Sequence, residues 1–311
     1  MANNTMSGFL LVGFSEIREL QILHAFLFLV MYLLSLAGNF IIIIITTLDH
    51  QLQSPMYYFL KHLSLLDLSV ISVTVPQSIT NSLLDDGSIS YSQCVLQVFF
   101  FTALAGAEVS ILTVMSYDRY IAICSPLHYE IVMNPSKCKW AVMAVWLSGG
   151  ISGTLYTSAT FSIVFCRARI IHQFFCDVPQ LLKLTCCNDY LRVIGVAAFM
   201  SLMACFCFTF IVFSYIHIFS TVLRIPSAEG QSKAFSTCLP HLFVVTIFVT
   251  TGICEFLKPA TESPTVFDLA ISIFYTVIPP SLNPIIYSLR NDALKEAFRK
   301  LLLGEEYIRR K

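Results

Sequence analysis

Seven long apolar stretches, separated by shorter polar and charged segments, run through most of the chain. A helix needs about 20 consecutive apolar residues to cross the hydrocarbon core of a bilayer, and each stretch reaches that length. The predicted spans cover about residues 23-48, 56-84, 95-123, 140-165, 193-223, 234-257 and 266-289. The pattern therefore predicts an all-α membrane protein, built as a seven-transmembrane helix bundle.

The composition agrees with this pattern. The chain has 311 residues, of which 56% are hydrophobic and only 12% are charged, about half of the charged fraction that is usual in soluble domains. The net charge is zero, so bulk charge gives no reason to expect a nucleic-acid partner. The first residues do not form a cleavable signal, and the first span is expected to serve as its own insertion signal. Without a repeat or linker in the sequence, residues 1-311 are treated as a single domain.

Seven spans place the two termini on opposite sides of the membrane. With the N-terminus outside, 13 of the 19 Lys and Arg residues fall on the inner side, as the positive-inside rule requires. Residues 1-22 are then extracellular, and residues 290-311 form a cytoplasmic tail. The triplet Asn3-Asn4-Thr5 is an acceptor for N-glycosylation, so Asn3 is a candidate site on the outer side.

The tail is expected to contain a short amphipathic helix that lies in the inner membrane interface. Its apolar residues share one helical face: Leu294, Ala297, Phe298, Leu301 and Leu302. No cysteine follows Cys254 in the sequence, so we expect no palmitoyl anchor in the tail.

Several charged residues interrupt the predicted spans. Asp67 and Glu108 lie well inside the second and third spans, and Asp118 and Arg119 lie at the inner end of the third. Charges there are costly unless they are paired, ion-bound or at the water boundary, which makes them candidates for function. For Asp118 and Arg119 alone, the alternative is an interfacial ion pair that anchors the helix.

Four sequence strings carry a resemblance to a known family. They are MSYDRYIAICSPLHY (Met115–Tyr129), PMYYFLKHLSLLDLS (Pro55–Ser69), KAFSTCLPHL (Lys233–Leu242) and PPSLNPIIYSLRN (Pro279–Asn291). Together they resemble the olfactory receptors of the class II, tetrapod-type branch, within the rhodopsin-like G-protein-coupled receptors. The resemblance extends from about Phe9 to Leu303.

The resemblance implies a receptor of the plasma membrane that binds a small volatile odorant within its helices. It also implies a stimulatory, olfactory-type G protein on the inner side, cyclic AMP as the output, contact with membrane lipid, and trafficking chaperones as further partners. The implied coupling and switch residues are Asp118, Arg119, Tyr120, Tyr215, Lys233, His241, Asn283, Pro284 and Tyr287. Pro284 removes one helical hydrogen bond and so permits local rearrangement; the alternative is a proline kink without a switching role.

The resemblance also implies two disulfides on the oxidising outer side. The first joins Cys94 to Cys176, and the second joins Cys166 to Cys186, with Cys187 as an alternative partner. Free thiols are the other interpretation, since buried cysteine behaves as a small hydrophobic residue.

A polar cavity is implied at Asp67, Glu108 and Asn283. In the family these positions hold a sodium ion and water, and two acids there favour a cation or a shared proton. A purely structural hydrogen-bonded cluster is the alternative. No other cofactor is expected.

The ligand positions carried over from the family's motifs are mostly apolar or small, as expected of a pocket for a small apolar molecule. They are Phe101, Thr102, Ala105, Gly106, Phe199, Met203, Val249, Gly252, Ile253, Phe256, Ile273 and Thr276. We expect neutral agonists with one hydroxyl or carbonyl that reaches Thr102 or Thr276. The chain departs from the family at Val249, where many members carry Tyr, and at Pro240, where Ser is usual.

Other classes of protein fit the sequence less well. An ion- or proton-coupled transporter that uses Asp67 and Glu108 is the main alternative, although no repeated halves are visible. A retinal-binding protein needs a lysine within the seventh span, and residues 266-289 contain none. An amine receptor needs an acid near Phe101 or Thr102, and the sequence has none there. For an enzyme, no nucleophile–base pairing or metal-ligand spacing stands out in the sequence.

Overall fold

A computed structural model describes residues 8–12, 17–165, 170–185, 191–257 and 266–303 of the chain. These residues are predominantly helical. The elements in chain order are β1 (Phe9–Leu11), α1 (Arg18–Leu48), α2 (Pro55–Leu84), β2 (Ser88–Ile89), α3 (Tyr91–Cys124), α4 (Tyr129–Val132), α5 (Pro135–Phe161), β3 (Ile170–Ile171), α6 (Val178–Lys183), α7 (Leu191–Val222), α8 (Ala228–Leu257), α9 (Val266–Thr276), α10 (Ile278–Arg290) and α11 (Asp292–Leu303), with 3₁₀ turns at His50–Leu52 and Pro126–His128.

Five of the described helices, α1, α2, α3, α7 and α8, are long and apolar enough to cross a membrane. The helices α9 and α10 meet at an angle of 50°, and they form a sixth span if the bent pair is taken as one. The fold is thus a helical bundle of the membrane type. The helix α5 has 27 residues, but its many Ser, Thr and Gly residues make it less apolar than the others.

Local capping explains where two helices begin. The third was predicted to begin near residue 95, but α3 begins at Tyr91, because Ser90 and Gln93 form a capping box that satisfies two free amides. The fourth was predicted to begin near residue 140, but α5 begins at Pro135. There Asn134 accepts a hydrogen bond from the Lys137 amide at 2.9 Å, and proline suits the first helical position.

The predicted seventh span is broken at Val277 into α9 and α10. Pro279 and Pro280 follow the break, and neither has an N–H to donate to the preceding turn. The helix therefore cannot continue its hydrogen-bond ladder through this point, and it bends instead of running straight.

The helix α3 lies at the centre of the bundle, in contact with α2, α5, α7 and α8. Its approach to α5 depends on two glycines. A Cβ atom on Gly149 would lie 2.4 Å from the carbonyl oxygen of Ala103, and one on Gly153 would lie 2.8 Å from that of Phe99. Both contacts are too short for any side chain, so this seam requires glycine.

A small sheet that the hydrophobic pattern did not predict covers one end of the bundle, called here the outer end because it is the end predicted to be extracellular; the opposite end is called the inner end. Its strand order is β2-β1-β3, with β1 antiparallel to β2 and parallel to β3. Phe9 and Leu11 of β1 are buried, so the sheet fastens the N-terminal segment to two outer loops.

The α3–α5 seam predicts that Gly149→Ala destabilises the protein and that Gly150→Ala does not. A Cβ atom at Gly150 would meet nothing within 4 Å, whereas one at Gly149 forces the backbones apart, at a cost of about 1–3 kcal/mol. Thermal unfolding of the two purified variants checks this. Equal midpoints for the two variants would contradict the role of the seam.

Candidate functional site

The segment from Gln173 to Cys176, here called the lid, lies across the outer end of the bundle. A disulfide joins Cys176 to Cys94 at the start of α3, so the first implied bridge is present. The second implied pair, Cys166 and Cys186, and its alternative partner Cys187 lie outside the described residues, as does Asn3.

Gln97 of α3 forms hydrogen bonds with both the lid and α2. Its Oε1 accepts from the backbone amide of Cys176 at 2.7 Å, and its Nε2 donates to the carbonyl of Val73 in α2 at 2.9 Å. The buried amide of Gln97 therefore satisfies a backbone amide of the lid and links the lid to α2.

Aromatic side chains continue these contacts into the bundle. Phe175 of the lid contacts Phe101 of α3 with ring centroids 5.1 Å apart, and Phe101 contacts Tyr275 of α9 edge-to-face at 5.7 Å. A Cβ atom placed on Gly252 of α8 would lie 3.9 Å from the Tyr275 ring. We call Phe101, Phe175, Gly252 and Tyr275 the outer site.

A second polar contact links the lid to α9. Gln173 donates from Nε2 to the hydroxyl of Ser272 at 2.6 Å, and both side chains are buried. Next to Gln173, Phe174 lies against Phe28 of α1, with ring centroids 5.6 Å apart. The lid is thus held by α1, α3 and α9 together.

Some of the predicted ligand positions lie at or near the outer site. Phe101 and Gly252 belong to it, and Val249 and Ile273 pack against the hydrophobic core. Thr276 is fully buried, and its hydroxyl donates to the Ser272 carbonyl at 2.8 Å. Among the hydrogen bonds of the described residues none involves the Thr102 hydroxyl, which therefore has its donor available.

The other predicted ligand positions have varied surroundings. A Cβ atom on Gly106 would lie 3.5 Å from Ser152, so Gly106 faces α5. Phe199, Met203 and Ile253 have about half of their surface exposed, at 50%, 46% and 51%. Ala105 is half-buried, and the side chain of Phe256 lies outside what the structure describes.

Three residues of this region were absent from the predicted set. Phe175 directly precedes the disulfide cysteine Cys176, and Tyr275 lies between two predicted positions, so both had a signal in the sequence. Gln97 was visible as a polar interruption near the start of an apolar span, but its two backbone partners were not.

Three polar groups meet midway through the bundle. Asn283 of α10 donates to both carboxyl oxygens of Asp67 at 3.0 Å, and the carboxyl of Glu108 is in hydrogen-bonding contact with that of Asp67. All three are buried, and Oε1 of Glu108 has no protein partner among the described residues. Two ionised carboxylates in contact repel each other. The described part of the chain contains no group of three or more His, Cys, Asp and Glu side chains that could hold a metal ion.

Pro284 of α10 is packed against α1. Because Pro284 lacks an N–H, the Pro280 carbonyl loses its partner in the helix. It accepts instead from the Ser35 hydroxyl at 3.1 Å and from the Asn39 amide at 3.0 Å. A Cβ atom on Gly38 would lie 3.0 Å from Pro284, so glycine allows this close contact.

At the inner end of α3, Asp118 and Arg119 take different partners. Asp118 is buried and accepts from the Tyr129 hydroxyl of α4 at 2.8 Å, while Arg119 donates to the sulfur of Met56. The ion pair that was the alternative for these two residues is absent from the salt bridges of the described residues. Burial and the Asp118 carboxylate raise the pKa of Tyr129, so its hydroxyl remains the donor at neutral pH.

The remaining switch candidates lie around the same end. The Tyr215 hydroxyl lies 2.9 Å from Nδ1 of His241, and Nε2 of His241 lies 3.0 Å from the Leu112 carbonyl. A carbonyl only accepts, so Nε2 carries a proton and Tyr215 donates to the neutral ring. Tyr120 lies near His217 with centroids 6.1 Å apart, and Tyr287 is buried. The side chain of Lys233 lies outside the described set.

Comparisons with known proteins agree with the resemblance. A family model described as olfactory receptor matches residues 28–305. The chain is 63% identical to olfactory receptor 14J1 of Homo sapiens over 312 residues, which cover 100% of this chain and 97% of that protein. It is 52% identical to olfactory receptor 14A16 of Homo sapiens over 306 residues, or 98% and 99% of the two chains. It is 43% identical to olfactory receptor 1G1 of Gorilla gorilla gorilla over 302 residues, or 97% and 96%. These relatives are receptors by name, so they lend no support to the transporter alternative and fit the expectation of a non-enzyme.

The contacts of Gln97 predict that Gln97→Leu reduces stability and delivery to the cell surface. The variant leaves the backbone amide of Cys176 buried without a partner, at a cost of about 1–3 kcal/mol. Flow cytometry of surface protein checks this, with Gln53→Leu as the control because Gln53 is exposed. Equal surface levels of the two variants would argue against a stabilising role for the hydrogen bonds of Gln97.

Proposed function

The chain belongs to the olfactory receptor family, and on that premise we propose that it binds small, neutral, volatile molecules in its helix bundle and activates a stimulatory, olfactory-type G protein that raises cyclic AMP. One observation supports the ligand class above all others. The outer site is formed by three aromatic rings and a glycine, and none of its four residues carries a charge.

The free energy of transfer from water favours a neutral ligand at such a site. An organic cation would lose its hydration without gaining an ionic partner, at a cost of several kcal/mol. A neutral molecule of about ten heavy atoms gains roughly 25 cal/mol for each Å² of apolar surface removed from water. Glu108 lies about 10 Å further along α3 than Phe101 and is already in contact with Asp67, so it does not serve as a counter-ion.

The hydroxyls of Thr102 and Thr276 form hydrogen bonds with the polar group of the ligand. Thr276 uses its proton within α9, so it accepts a hydrogen bond from an alcohol but does not donate to a ketone. Thr102 has a free donor and serves both kinds of ligand. A molecule with one hydroxyl or one carbonyl therefore fits this site better than a hydrocarbon.

The receptor crosses the plasma membrane seven times with its N-terminus outside. The spans are α1, α2, α3, α5, α7, α8 and the bent pair of α9 and α10. At 27 residues, α5 is about 40 Å long, which is enough to cross, and its Ser148 and Ser152 side chains lie at the seam with α3. In α11, Leu294 and Ala297 are buried while Phe298 and Leu302 are exposed, which suits a helix in the inner interface.

The inner end of α3 supplies the coupling to the G protein. In the described structure Arg119 is held by Met56 and Asp118 is held by Tyr129. Ligand binding favours the conformer to which the ligand binds better, and in the active conformer Arg119 exchanges Met56 for the G protein.

The cluster of Asp67, Glu108 and Asn283 holds a sodium ion or a proton. The free oxygen of Glu108 and the two carboxyl groups fit a cation that prefers oxygen ligands. A bound sodium ion supplies positive charge that offsets the repulsion between the two carboxylates.

The ligand class is tested with an alcohol, a ketone, a carboxylate and an amine on one carbon skeleton. We expect the alcohol and the ketone to raise cyclic AMP in cells that express the chain, because both are neutral, and we expect the amine to fail. Activation by the amine alone would contradict the proposed pocket.

The control for this series is Arg119→Ala, compared at equal surface level. Its cyclic AMP response to the active alcohol should be lost, because the variant lacks the group assigned to coupling. A full response from this variant would remove Arg119 from the coupling mechanism.

The sodium proposal predicts that replacing N-methylglucamine chloride with sodium chloride raises the thermal unfolding midpoint of the purified receptor. A ligand of the folded state stabilises it by mass action, and Glu108→Gln should abolish the increase. Glu130→Gln, at an exposed position, should retain it. An increase that survives in Glu108→Gln would place sodium elsewhere.

A further inference from the structure

We propose that the outer site recognises aromatic rings, so that the preferred agonists carry a benzene-type ring packed against Phe101 and Tyr275 beneath Phe175 of the lid. This inference rests on the proposed function and names the ligand class more narrowly.

The geometry of the side chains supports the inference first. A continuous series of ring contacts runs from Phe174 through Phe175 and Phe101 to Tyr275, with centroid separations of 5.0, 5.1 and 5.7 Å. These rings come from the lid, α3 and α9, so three separate parts of the chain converge on one aromatic cluster. Phe175 and Phe101 are buried.

Small residues lie beside this cluster. A Cβ atom on Gly252 would meet only the Tyr275 ring within 4 Å, at 3.9 Å, so Gly252 lies next to that ring and places no side chain against it. Ala105 lies one helical turn further along α3 than Phe101 and offers only a methyl group. The aromatic cluster is therefore flanked by residues that carry little or no side chain.

This environment binds an aromatic ring more favourably than a saturated ring of similar size. Each offset or edge-to-face aromatic pair stabilises the complex beyond the burial of its area. With new contacts to Phe101 and Tyr275, we expect an aromatic agonist to be about tenfold more potent than its saturated counterpart.

The experiment compares 2-phenylethanol with 2-cyclohexylethanol, which share a skeleton and a hydroxyl and differ in the unsaturation of the ring. Cyclic AMP responses give the two half-maximal concentrations in cells that express the full chain. We expect the aromatic alcohol to be about tenfold more potent on the unaltered receptor, a comparison that requires no variant to fold.

Matched variants then assign the preference to named rings. In Phe101→Leu and Tyr275→Leu the potency ratio should fall toward one. The controls are Phe100→Leu and Phe274→Leu, which alter the preceding residue on each helix. Phe100 and Phe274 are 46% and 55% exposed, and the tenfold ratio should persist in both controls.

The outcomes separate this inference from the function on which it rests. Equal potency of the two alcohols on the unaltered receptor, or activation by open-chain neutral molecules alone, would overturn the aromatic preference and leave the neutral-ligand receptor intact. A response to 2-phenylethylamine with none to either alcohol would overturn the proposed function as well. A ratio that falls equally in Phe100→Leu and Phe101→Leu would remove Phe101 from ring recognition.

Discussion

The helix α3 can lie against α5 as closely as it does because Gly149 and Gly153 leave space for its backbone. Lipid provides no hydrophobic driving force between helices, so membrane helices associate through close packing and polar contacts, and small residues permit both. The seam gains a polar contact as well, since the hydroxyls of Ser110 and Ser148 lie 3.3 Å apart. Once α3 is fixed there, its other faces are available to α2, α7 and α8, and the interior of the bundle is defined by the side chains that α3 presents.

Those side chains create three different environments along one helix. Phe101 faces uncharged aromatic rings at the outer end, Glu108 meets Asp67 in the middle, and Asp118 accepts from Tyr129 at the inner end. From Phe101 to Asp118 the distance along a helix is about 25 Å. Under the proposed function, a ligand that favours one arrangement of the outer rings shifts the population of conformers, and the same rigid helix carries that shift to Asp118 and Arg119.

Most of the helices, the first disulfide and the central polar cluster could be predicted from the sequence. Long apolar runs have few structural solutions, and Asp67, once buried in such a run, must find a partner such as Asn283. The break at Val277 had a signal in Pro279 and Pro280. Side-chain directions were harder to predict, because alignment to a motif does not say which way a residue faces: Gly106 faces α5, and Tyr275 takes a place assigned to its neighbours. The partners of Gln97 depend on the path of the lid, which sequence spacing does not encode.

The account states that ligand binding and G-protein coupling occupy opposite ends of α3 and can be separated. Thermal unfolding of purified receptor, with and without a saturating neutral agonist, tests this most directly. The predicted result is the same increase in unfolding midpoint for the unaltered protein and for Arg119→Ala, since mass action requires only binding to the folded state. Loss of the increase in a folded Arg119→Ala protein would contradict the account, because Arg119 would then be needed to bind the ligand itself.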